Sequence, residues 1–67
     1  MEYEIFDTGK KYVFKIHPGI TTKNKHYCVM QNPFSTYHDT KVLYGGSVEV
    51  VKREILNQFK KFKESAK

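Results

Sequence analysis

Residues 45–65 read GGSVEVVKREILNQFKKFKES, and the reading of this stretch decides the fold. Two glycines let the chain turn, and Ser47 is a preferred N-cap whose hydroxyl oxygen accepts an early helix N–H. From there Val48, Val51, Ile55, Phe59, Phe62 and Ala66 step by three or four, which stacks them on one stripe. Glu49 falls in the first turn, where the helix dipole favours an anion. Lys60, Lys61, Lys63 and Lys67 gather toward the end that favours cations. The pattern predicts an amphipathic helix over about 47–65.

One apolar stripe needs a surface to lie on, and the residues ahead of it supply strands. Residues 2–6 set Tyr3 and Ile5 against Glu2 and Glu4, and residues 12–17 set Tyr12, Phe14 and Ile16 against Val13, Lys15 and His17. Between them Asp7-Thr8-Gly9-Lys10 is turn chemistry, with Gly9 available for positive φ, so the pair reads as a hairpin. Pro18-Gly19 ends the second strand. Residues 21–25 are polar and basic, an exposed loop or hairpin tip. Residues 26–31 read as a third strand, with Cys28 and Met30 on one side and Tyr27 and Val29 on the other, until Asn32-Pro33 breaks it. Residues 34–40 are irregular, with rings that pack down on the domain, and 41–44 is a short candidate fourth strand. The expected fold is a single α+β domain over 1–67. In it a small antiparallel sheet of three or four strands packs against one C-terminal amphipathic helix.

Composition sets the limits. Sixty-seven residues make one domain, and a chain this short buries only about 60% of the surface its unfolded form exposes. With 39% hydrophobic and 28% charged residues it is too apolar for a disordered tail. A lone cysteine, Cys28, allows no internal disulfide. The opening Met1-Glu2-Tyr3-Glu4 is acidic rather than apolar, and no run approaches the roughly 20 apolar residues that span a bilayer. The expected compartment is the cytoplasm, with no membrane partner.

The residues of catalysis are few. His17, His26, Cys28 and His38 are potential metal ligands, but their spacing lacks the close pairs that hold zinc. Cys28 reads as a small buried hydrophobe, and nothing near it in sequence supports a thiolate nucleophile. Gly45-Gly46 sits in no phosphate-binding pattern. The expectation is a non-catalytic protein that uses no metal and no cofactor.

Charge points to a partner. Lys and Arg number 12 against 7 acids, a net charge of +5. Turning the helix by about 100° per residue puts Lys52 and Lys63 beside the apolar stripe. Arg53, Lys60 and Lys67 continue round that side, with Leu56 among them. Lys23 and Lys25 extend the strip if their loop lies close. The first functional expectation is therefore electrostatic nucleic-acid binding by Lys52, Arg53, Lys60, Lys63, Lys67, Lys23 and Lys25, with tyrosines 27, 37 and 44 stacking on bases. The alternative is a protein-binding regulator or inhibitor that presents Phe34, Tyr37, Val42 and Tyr44, with an acidic protein surface as the other partner class. A thin core also suits a homodimer, in which a second copy covers an apolar patch.

Two resemblances bear on these choices. The strands at 12–17 and 26–31, the helix from Ser47 and the basic residues are similar in outline to the small DNA-binding domains of phage-type integrases. That likeness implies a sheet laid in the major groove and braced by the helix. The abundance of Lys, Asn, Ile, Tyr and Phe also resembles accessory proteins of phages and mobile elements. This second likeness implies capping of a host or defence protein.

Overall fold

The computed structural model describes residues 1–19, 25–34 and 39–66. Its elements run β1 (Glu2–Asp7), β2 (Lys10–Lys15), β3 (His17–Pro18), β4 (His26–Gln31), β5 (Thr40–Gly45) and α1 (Val48–Ser65). The class is α+β, as the sequence predicts. The sheet, however, is divided. β1 and β2 form a two-stranded antiparallel hairpin, and β3, β4 and β5 form a three-stranded antiparallel sheet in that order.

Ile16 is the point of division. Its N–H donates to the Met1 carbonyl at 2.7 Å, and the Met1 ammonium donates to the Ile16 carbonyl at 3.3 Å, so the chain is held by the β1 side up to this residue. Immediately beyond, His17 and Pro18 pair with Tyr27 and His26 of β4. The second predicted strand is thus two short strands that serve different sheets. Pro18 can stand in the ladder only at such an end, since it has no N–H.

The β1–β2 turn has two residues at positive φ, Thr8 at 48° and Gly9 at 79°. Those values are the turn geometry that matches the twist of a two-residue hairpin. Glycine accepts its position freely. Thr8, a β-branched residue there, is strained, and its hydroxyl donates to the Asp7 carbonyl at 2.8 Å.

The helix forms where its sequence says. Ser47 is extended, and its Oγ accepts from Val50 N–H at 3.3 Å. Gly45 ends β5 against the first turn of α1. A Cβ there would lie 2.9 Å from Val50 Cγ1 and Val51 Cγ2, so glycine is what lets strand and helix meet. Val51, Ile55, Phe59 and Phe62 are buried, and Val48 and Leu56 pack partly against them. Leu56 therefore widens the apolar stripe. Ala66, predicted to belong to it, is instead the exposed C-cap, its N–H donating to the Lys63 carbonyl.

Ile5, Phe14, Ile16, Cys28 and Met30 complete the core from below. Phe59 is its hub, meeting Tyr12, Phe14 and Phe34 edge-on at centroid distances of 5.1, 6.3 and 5.0 Å, arrangements that aromatic quadrupoles favour. Buried Asn32 anchors the exit from β4. Its Oδ1 accepts from Phe34 N–H at 2.9 Å, while its own N–H donates to the Asp39 carbonyl at 2.8 Å.

Candidate functional site

Among the described residues the helix packs on β4 and β5 and reaches β1 and β2 through side chains, and side chains alternate sides along each strand. The other side of the hairpin carries Glu2, Glu4 and Phe6 from β1 and Lys11, Val13 and Lys15 from β2. The other side of the second sheet carries His17, then Tyr27, Val29 and Gln31 from β4, then Thr40, Val42 and Tyr44 from β5. A shallow groove of about 570 Å³ joins the two, lined by Lys11, Val13, Lys15, His17, Val29 and Gln31. The open face is therefore continuous across the division of the sheet.

Its centre is apolar. Val29 and Val42 are cross-strand partners, 52% and 46% exposed, and Val13 faces them over the groove at 43%. Tyr44 and Phe6 are also exposed on this side. The rings make a row: His17 stacks on Tyr27 at 5.2 Å, and Tyr27 meets Tyr44 at 6.5 Å. Charge flanks Val13, with Lys15 opposite Glu2 and Lys11 paired with Glu4 at 3.4 Å.

The basic flank of the helix is arranged differently. Lys63 reaches across to Asp7, its Nζ donating to both carboxylate oxygens at 2.9 Å. Lys52 is half-buried, with Nζ 5.9 Å from the centroid of the Tyr3 ring, within cation–π range. Both cations serve the seam between α1 and β1. Arg53 and Lys60 point outward on the exposed side of the helix. Lys25 lies beyond the His26–Gly45 pair, at the helix N-terminal end, whereas Lys63 and Asp7 mark the opposite end. Lys25 and Lys63 are therefore not brought together. Lys23, Lys67 and Tyr37 lie outside the described residues.

Among the residues expected to meet a protein partner, Val42 and Tyr44 are exposed on the open face. Phe34 turns inward, 5.7 Å from Tyr12 and 5.0 Å from Phe59, and belongs to the core margin. Residues not assigned to partner binding from the sequence, Val13, Lys15, His17 and Val29, line the groove. The same period-2 pattern that selects Phe14 and Ile16 for the core already assigns three of them to the opposite side.

Cys28 is fully buried, and burial pushes its thiol up from the ordinary range, so it is held neutral. It packs as a small hydrophobe. No helix among the described residues is long and apolar enough to cross a membrane.

No protein-family model matches the chain, and no solved structure does. Among curated proteins, the myosin IE heavy chain of Dictyostelium discoideum is similar to it at 39% identity over 56 residues. The alignment takes in 72% of this chain and 6% of that protein, so the likeness is to a short segment of it.

Proposed function

We propose that this chain is a small non-catalytic binding protein that docks its open sheet face on a protein partner. The observation that carries the reading is the run of half-exposed valines and rings, Val13, Val29, Val42 and Tyr44, on one continuous surface. A sheet with one wet face ordinarily alternates apolar in and polar out. Here Val13, Val29 and Val42 hold outward positions, with Lys11 and Lys15 on either side of Val13 in the groove. Outward valines with aromatic anchors beside them suit a recognition patch. The groove lysines favour a partner that carries acidic groups beside apolar ones. The helix flank supports this choice indirectly, since Lys52 and Lys63 are already engaged within the molecule.

A second reading, nucleic-acid binding, is favoured by the row His17–Tyr27–Tyr44 on a chain of net charge +5. Exposed rings stack on bases, and lysines 11 and 15 stand beside them for phosphates.

One experiment separates the two. The immobilised chain is exposed to cell lysate with and without nuclease, beside a Val29→Glu variant and an Arg53→Glu/Lys60→Glu variant. The protein-docking reading expects a protein that survives nuclease, is lost with Val29→Glu and is kept by the helix variant. Retention that nuclease abolishes and that falls steeply with salt sinks it and selects nucleic acid.

A further inference from the structure

The open face ends in a strand edge, and the inference drawn from that edge rests on the docking reading above. β5 is the outer strand of its sheet among the described residues. Two hydrogen bonds fix which of its backbone groups look outward. Asn32 N–H donates to the Asp39 carbonyl at 2.8 Å, while on the opposite edge of the β4 segment Gly19 N–H donates to the Lys25 carbonyl at 2.6 Å. Backbone groups alternate edges residue by residue. Residues 39, 41, 43 and 45 therefore turn toward β4, and the N–H and C=O groups of Thr40, Val42 and Tyr44 aim away from the sheet.

The same three residues place their side chains on the open face, with Tyr44 54% exposed. None of them is charged or proline, and the register runs from Gly45 to Thr40 without a bulge. Native edges are commonly blunted by such devices. β5 carries one of them, Lys41, on its helix side, while its outward backbone groups belong to uncharged residues and meet no strand among the described residues.

Lys41 lies on the other side of the strand. It borders a groove of about 400 Å³ between β5 and the last turns of α1, which Gln58, Lys61 and Ser65 also line. Asp39 is the one acid among the described lining residues, against two lysines.

We propose that the outer edge of β5 receives an extended segment of a partner protein as an added strand, and that this segment alternates apolar with acidic side chains. Its residues on the open side would rest beside Val42 and Tyr44, and the intervening ones over Lys41 and Lys61. Main-chain hydrogen bonds supply affinity in such an addition, and the alternate side chains supply selectivity.

The probe is a short peptide in which valine alternates with glutamate, titrated into the full chain and followed by backbone amide NMR. The amides of Thr40, Val42 and Tyr44 shift and exchange more slowly, while those of Cys28 and Met30 hold. A peptide alternating valine with lysine binds at least about tenfold more weakly. Val42→Pro removes an outward N–H without touching the β4 ladder, so it keeps the fold and loses the peptide. A Lys41→Glu/Lys61→Glu variant, a second route should the proline disturb β5, reverses the preference between the two peptides.

Binding that Val42→Pro leaves intact, or shifts that bypass β5, overturns the proposal. Self-association that Val42→Pro abolishes also overturns it, and assigns the edge to a second copy. In the lysate experiment, loss of the partner with Val29→Glu but not with Val42→Pro removes strand addition and leaves the face reading standing. Retention by both variants removes the face reading itself.

Discussion

The two sides of β4 differ in what they ask of the same kind of residue. Cys28 and Met30 face the helix and are completely buried, whereas Val29 between them faces outward and is half exposed. Inward, each methyl group is surrounded by fixed neighbours, and its removal opens a cavity. Outward, a valine meets a cross-strand neighbour and water, and its removal costs the fold little. An apolar residue on the second side serves the strand and its cross-strand neighbour rather than the core, and that contrast makes the open face a candidate for binding.

The contrast can be broken from the inside first. Phe59→Ala removes the ring that three other aromatics touch and should destabilise by about 3–5 kcal/mol, read from urea denaturation followed by circular dichroism. A loss under about 1 kcal/mol would mean that the inner side is not close-packed. Gly45→Ala comes next. Its methyl would press on Val50 and Val51, which are stiff at χ1, so overpacking should cost about 1–3 kcal/mol. Ser47→Ala should cost about 1 kcal/mol through loss of the N-cap bond to Val50, and Ser47→Asp should restore it.

The seam between the two sides gives a smaller effect. Lys63→Gln removes the pair with Asp7, whose partners are partly exposed, and should cost about 0.2–1 kcal/mol, less in high salt. A loss that salt does not reduce would place that cation in a more buried role than its exposure indicates. Smallest of all is Val29→Thr on the open side, expected within about 0.5 kcal/mol of the parent in the same denaturation. Partner binding should nonetheless fall. A stability loss as large as that of a buried valine would make the open face structural rather than functional.

Much of this was legible in the sequence because the signals are local. Ser47 with Glu49, and the apolar stripe from Val48 to Phe62, specify a helix whatever lies around it. Alternation in residues 26–31 assigns Cys28 and Met30 to one side and Val29 to the other. Less legible was the division of the sheet at Ile16, since it depends on Met1 holding that residue from one edge while β4 takes the next from the other. Legible only in part was the basic flank. Helical spacing brings Lys52 and Lys63 to the margin of the stripe, but Asp7 and Tyr3 lie far away in sequence and meet those lysines only when hairpin and helix pack.

The amino-acid sequence alone determined the class, the helix with its cap, and which side of each strand is greasy, because period and capping act within a few residues. Tertiary structure decided the rest: which lysines are already occupied, that outward residues of two sheets join into one face, and that β5 is the outer strand of its sheet among the described residues. Those are properties of distance between segments, and distance is set by packing.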